Sequence, residues 1–178
     1  ASGAACGYPE GEAGTTEFGH VLFDAGRSVF SDLMLIDKAI ETGAFAQNKA
    51  LTAAADAAAS GTPDAPIIHL VGILSDGKVH SSLEHLDAIL ALFARGKVPA
   101  DRVHIHAVTD GRDVAGDSSP KYIDWLAAAV KRHGVGQLVS LFGRAWGKAR
   151  DNRWKRIEAA FRSLCEGTAA LHLIEPTL

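Results

Sequence analysis

The sequence predicts an α/β fold: a parallel sheet in three layers with helices on both faces, preceded by a loop-rich N-terminal segment. Three observations carry this expectation. Apolar runs of strand length alternate with helical patterns from residue 67 to residue 166, the rhythm of successive βαβ units. Each apolar run leads into a charged, glycine-bearing loop: Ser75-Asp76-Gly77-Lys78-Val79-His80-Ser81-Ser82, Thr109-Asp110-Gly111-Arg112-Asp113, and Gly143-Arg144-Ala145-Trp146-Gly147-Lys148-Ala149-Arg150-Asp151. Before this alternation, residues 1–28 are rich in glycine and show little periodicity, which reads as loop around at most one short strand.

The elements follow in order. Leu33, Ile36 and Ile40 recur at helical spacing over residues 31–42, and Gly43 ends that run. Asn48 can cap a second helix through the alanines up to Ala59, closed by Ser60-Gly61-Thr62-Pro63. Residues 67–74 form the first strand. A helix over 83–95 follows, opened by a Ser81-x-x-Glu84 capping box. Residues 103–108 form the second strand, and a helix starts at Pro120 with Ser119 as its cap. Residues 137–142 form the third strand, with a helix from about residue 152 to Glu166, stopped by Gly167. Residues 170–174 suit one more strand.

Composition narrows the function classes. A chain of 178 residues can bury a proper core in one domain, with a flanking segment. A net charge of −3 gives no general basic field for nucleic acid. No apolar run has the length of a membrane span or the form of a secretion signal. Two distant cysteines, Cys6 and Cys165, fit a reducing, cytoplasmic setting. The opening Ala1-Ser2-Gly3-Ala4-Ala5, with no initiator methionine, suits a processed protein or a piece of a longer one.

Right-handed crossovers make the strands parallel, so all three charged loops leave the same edge of the sheet. Ligands of open α/β sheets bind at that edge. His80, Arg112, Asp113, Arg144, Lys148 and Arg150 then converge on one crevice, whose cations favour a small phosphate or carboxylate. Competing motifs fail. Gly143-x-x-x-Gly147-Lys148-Ala149 is one residue short of a P-loop and lacks its hydroxyl. His69, His85, His104 and His106 read as ordinary half-buried histidines rather than metal ligands. Asp110-Gly111 is turn chemistry, with Arg112 free to pair with Asp113 or Asp117. Trp146 and Trp154 read as core cover. Thr15-Thr16, between glycines, is either a helix cap or a hydroxyl nucleophile with His20 as its local base.

Together these segments resemble the cofactor-independent (bisphosphoglycerate-independent) phosphoglycerate mutases of the alkaline phosphatase superfamily. The matching stretches are Ala1-Ser2-Gly3 with Gly7-Tyr8-Pro9-Glu10-Gly11, Glu17-Phe18-Gly19-His20, Ala25-Gly26-Arg27 and His69-Leu70-Val71-Gly72-Ile73-Leu74-Ser75-Asp76-Gly77. Val79-His80-Ser81, Asp110-Gly111-Arg112-Asp113, Gly143-Arg144 and Arg150-Asp151-Asn152-Arg153-Trp154 continue them in order. The resemblance implies that His80, Arg112, Asp113, Arg144 and Arg150 bind substrate. It makes Thr16, within Thr15-Thr16-Glu17 where the family has Asn-Ser-Glu, the nucleophile and a metal ligand. Two divalent metals, manganese in type, belong to the complete enzyme, with none expected on this chain alone.

Residues 1–28 would belong to a phosphatase-like domain and 29–178 to a substrate-binding α/β domain, incomplete relative to the family. Partners would be 2- or 3-phosphoglycerate and the missing phosphatase-like domain, with no nucleic acid and no membrane. The departures are Thr16, Lys78 in place of the usual glycine, Ser82 in place of the usual histidine, and the loop from Ala145 to Ala149, which lacks the family's aromatic, Met and Asp pattern. These departures leave two alternatives: a diverged, non-catalytic phosphometabolite-binding protein, or a phosphotransferase or hydrolase of the same superfamily acting through Thr16.

Overall fold

The fold is seen in a computed structural model, which describes residues 3–11 and 14–167. Two compact units divide the chain, one ending at Asn48 and the other beginning at Lys49.

In the first unit a 3-10 turn, Gly3–Cys6, precedes two ten-residue helices, α1 (Thr16–Ala25) and α2 (Asp32–Glu41). Helix α1 corrects the expectation of loop and strand over residues 1–28. Thr15 caps it by accepting the Phe18 amide at 3.2 Å, and Gly26, in the left-handed conformation, ends it. Its periodicity is hard to read because Gly19 interrupts it and none of its residues is buried. Ser31 caps α2 through the Met34 amide, while its own amide donates to Gly7 at 2.8 Å. Gly7 has φ +73, and a Cβ there would stand 1.7 Å from the Val29 carbonyl oxygen. Only glycine fits that crossing.

The second unit opens with α3 (Lys49–Ala58) and then alternates as expected: β1 (Ile68–Leu74), α4 (Leu83–Arg95), β2 (Val103–Thr109), α5 (Ser119–His133) and β3 (Gln137–Gly143). The three strands are parallel in the order β1-β2-β3. Helices flank this sheet. The central strand β2 is buried along most of its length, whereas β1 and β3 alternate between covered and exposed positions. Leu90 and Phe93 of α4, Leu126 and Ala129 of α5, and Val103 and Ile105 of β2 are buried together in the core. Each large side chain among them contributes about 1.5–3 kcal/mol. Asp87 of α4 accepts hydrogen bonds from His133 at 2.8 Å and from Arg132, locking α4 to the end of α5. The pairing of β2 with β3 slips by one residue between Ile105 and His106, so that Leu138 and Ser140 are their partners and Val139 is a bulge.

Several element ends differ from expectation by a residue or two. Ser82, not Ser81, caps α4: its hydroxyl accepts the His85 amide at 3.4 Å and donates to Glu84 at 2.6 Å. Ser81 Oγ is buried without a partner. Helix α5 begins one residue before its proline, and Ser118 donates to the Ala115 carbonyl rather than capping. After β3 comes a single unforeseen turn, α6 (Arg144–Gly147), and then α7 (Trp154–Glu166). The late start of α7 follows from Asp151 and Asn152, both at positive φ, which a helix cannot continue through. Trp146 and Trp154 are 47% and 68% exposed, so they do not cover the core. The strand expected over 170–174 lies outside the described residues.

Candidate functional site

Because the strands are parallel, the three charged loops do emerge at one edge, and β2 lies between its neighbours. The loop after β2 is organised by Asp110, whose side chain is 1% exposed. Oδ1 accepts the amides of Arg112 and Asp113 at 3.2 Å each, a side-chain turn that Gly111 permits at φ +79. Oδ2 accepts the Ser75 hydroxyl at 2.9 Å, which ties this loop to the end of β1. From β3, Arg144 Nη1 donates to Asp110 Oδ1 at 2.6 Å and to Asp113 Oδ2 at 2.5 Å. One aspartate thus joins all three strand ends. Burial opposes its ionisation, but Arg144, the Asp113 amide, Ser75 and the Arg112 amide together hold its carboxyl below the usual carboxylate range.

His80 reaches the same cluster from the first loop, with Nε2 3.7 Å from Asp113 Oδ2. That is too long for a hydrogen bond. Loss of hydration, followed by the charges of Lys148 and Arg144, lowers the His80 pKa against the opposing pull of Asp113 and Asp110. The imidazole is therefore mainly neutral at pH 7, able to donate from one nitrogen and accept at the other. Glycine shapes the approach of the loops: a Cβ on Gly77 would press on Val114 at 3.1 Å and Asp113 at 3.3 Å.

Beside this cluster opens a cavity of about 410 Å³, lined among others by Arg112, Arg144, Lys148 and Arg150. Arg153, Arg156 and Asp151 extend its wall. Arg156 also lies over the Trp146 ring, 5.9 Å from its centroid, so that exposed tryptophan backs one of the arginines of the wall. The single turn α6 holds the cations in position. Gly147 lets it sit close on the sheet, since a Cβ there would be 2.7 Å from the Phe142 ring and 3.2 Å from Val108.

The structure therefore gathers Arg112, Arg144 and Arg150 around one cavity, with Asp113 joined to it through Arg144 and His80 3.7 Å from Asp113. Thr16 belongs to the other unit, exposed in the first turn of α1. Its neighbour Thr15 fills the capping role. Sequence reading passes over Asp110 as turn chemistry, places Lys148 with the converging cations, and gives Arg153 and Arg156 no role. Asp110 was visible only as an Asp-Gly pair, because its other bonds come from β1 and β3. His69, His104 and His106 gather on one face of the sheet. His69 Nδ1 lies 2.8 Å from His106 Nε2, and His106 Nδ1 lies 2.7 Å from Ser140 Oγ. Among the described residues no three His, Cys, Asp or Glu side chains are arranged to hold a metal ion. These residues do not fit the metal pair implied by the resemblance. No helix among the described residues is long and apolar enough to cross a membrane.

Comparison with known proteins gives consistent results. A family model described as the BPG-independent PGAM N-terminus matches residues 36–176. A 2,3-bisphosphoglycerate-independent phosphoglycerate mutase from Salinibacter ruber is 42% identical over 170 residues, which are 96% of this chain and 32% of the relative. One of the same name from Clostridium perfringens is 41% identical over 177 residues, 98% of this chain and 34% of its own length. A crystal structure of Leishmania mexicana phosphoglycerate mutase at low cobalt concentration superposes with a TM-score of 0.81 at 28% identity, covering 94% of this chain and 31% of that one. The chain spans about a third of the length of these relatives.

Proposed function

Since the chain belongs to the family of N-terminal regions of BPG-independent phosphoglycerate mutases, we propose that it supplies the substrate-binding part of an enzyme interconverting 3-phosphoglycerate and 2-phosphoglycerate. The single observation that supports this most is the cavity itself. Arg112 and Arg150 face it without a carboxylate partner among the described residues, beside an Arg144 already fixed by Asp110 and Asp113. Phosphoglycerate carries a phosphate and a carboxylate, and guanidinium groups bind both bidentately. Asp113 and the neutral His80 would hold the glycerate hydroxyls, one accepting and the other donating or accepting a proton.

In this reading a hydroxyl of the enzyme receives the phosphoryl group and returns it to the other glycerate oxygen. Thr16 is the residue of this chain proposed for that role, as part of a segment, residues 1–28, assigned to a phosphatase-like domain. Its side chain is exposed at the start of a helix, where an oxyanion is favoured by the helix dipole. The chain alone is expected to bind phosphoglycerate weakly and not to turn it over.

Calorimetric titration with 3-phosphoglycerate tests the reading. The chain should bind, and Arg112→Ala and Arg150→Ala should each weaken binding about tenfold or more. Absence of binding in the unmutated chain, or equal affinity in both variants, would reject the cavity as the phosphoglycerate site. An isomerase assay of the same sample that shows turnover in proportion to protein would reject inactivity alone.

A further inference from the structure

Resting on the reading of this cavity as a phosphoglycerate site, the arrangement around Lys148 carries one step more. Lys148 follows Arg144 by four residues, and its amide donates to the Arg144 carbonyl at 2.9 Å. Residues so spaced on a helical turn share a side, and both side chains line the cavity. Arg144 enters already balanced by two carboxylates. Lys148 has no carboxylate within ion-pair distance among the described residues. Loss of hydration and the repulsion of Arg144, and to a lesser degree Arg150, lower its pKa against the opposing pull of Asp113 and Asp110.

A cation placed against other cations without a partner is an unfavourable arrangement of the free protein. An arriving anion relieves it, and relieves it more the higher its charge. The cavity wall presents six cationic residues against two carboxylates, those of Asp110 and Asp151. A phosphate monoester near neutral pH carries about −1.5 to −2 charges, so it is the ligand group with most to gain at an uncompensated ammonium. The compact, strongly hydrated lysine head suits such a point of charge, beside arginines whose planar forks can take either anion bidentately.

We propose that Lys148 is a specificity-determining residue of this chain, contacting the phosphate group of phosphoglycerate beside Arg144. The residue stands in the turn between β3 and α7, directly behind α6, so its place at the cavity is set by the same turn that carries Arg144. The consequence is a site tuned toward the phosphorylated ligand by charge rather than by shape.

The test compares 3-phosphoglycerate affinity of the chain with Lys148→Met and Lys148→Arg, all by calorimetry at one ionic strength. Lys148 is exposed, so both variants should fold, with Lys148→Met no less stable than the unmutated chain. Lys148→Met should weaken binding about tenfold or more, and Lys148→Arg should remain within about threefold of the unmutated chain. Equal affinity of Lys148→Met and the unmutated chain would overturn the proposal while leaving the phosphoglycerate site intact. Equal loss in both variants would also overturn it, because the charge would then not be what matters. Failure of the unmutated chain to bind would instead remove the site reading on which the proposal rests.

Discussion

The loop after β2 and the loop after β3 meet at the same cavity but satisfy their charges in opposite ways. In the β2 loop, Asp110 is buried and every bond it makes is internal: two amides of its own turn, the Ser75 hydroxyl and the Arg144 guanidinium. In the β3 loop, Lys148, Arg150 and Arg153 face the cavity with no carboxylate partner among the described residues. Apart from Arg112, which faces the cavity, the first loop is complete without a ligand and acts as scaffold. The second is complete only when an anion supplies what the protein withholds. Arg144 belongs to both, and its two carboxylates keep it in place while its neighbours wait.

That contrast can be broken at its acidic side with the largest effect. Asp110→Ala should cost about 3–5 kcal/mol of stability, read from urea denaturation, because it strands a largely buried Arg144 beside Asp113 alone. Arg150→Ala should cost less than about 0.5 kcal/mol in the same assay. If the two losses were similar, the division between scaffold and ligand-satisfied loop would fail. The same aspartate sets a pH signature. Its folded pKa lies below the ordinary value, so its stabilisation is complete above the unfolded pKa of about 4 and is lost as pH falls through the folded one. Denaturation midpoints measured from pH 5 down to pH 2.5 should therefore fall less steeply in Asp110→Asn than in the unmutated chain.

A smaller perturbation acts on the turn that carries the cations. Gly147→Ala pushes a methyl group toward Phe142 and Val108 and should cost about 1–3 kcal/mol. It should also weaken phosphoglycerate binding, since α6 can no longer sit close to the sheet. A stability loss with unchanged binding would separate the turn from the site. The smallest effect comes from the first loop. Lys78 has φ +53, a left-handed conformation that favours glycine. Lys78→Gly should gain about 1 kcal/mol by thermal denaturation from release of that strain, less what is lost with its 4.0 Å approach to Glu84. A destabilised variant would show that the lysine side chain outweighs the backbone.

Much of this architecture was legible beforehand because it rests on local rules. Strand and helix periodicity marked β1, β2 and β3 and their helices, parallel order followed from the crossovers, and the loop ends named Arg112, Arg144 and Arg150 for the cavity. What stayed hidden depends on contacts distant in sequence. Asp110 reads as an ordinary turn residue until β1 and β3 bring Ser75 and Arg144 to it. Helix α1 was missed because it buries no residue and so carries no clear apolar stripe. The turn α6 is too short to show a period, and Trp146 looked like core until its exposure placed it beneath Arg156.

The bulge at Val139 has a consequence for how the chain tolerates change in length. Side chains along a strand alternate between its two faces, so one extra residue reverses the parity of everything downstream. Leu138 and Ser140 pair with consecutive residues of β2 because Val139 is skipped, and the phase of Phe142, Gly143 and the Arg144 turn is counted from that skip. Deleting a single residue between Val139 and Gly143 would therefore act at a distance. It would leave the hydrophobic content of β3 almost unchanged, and Arg144 would stay in register with Asp110 and Asp113 only if the bulge were given up to absorb the missing residue.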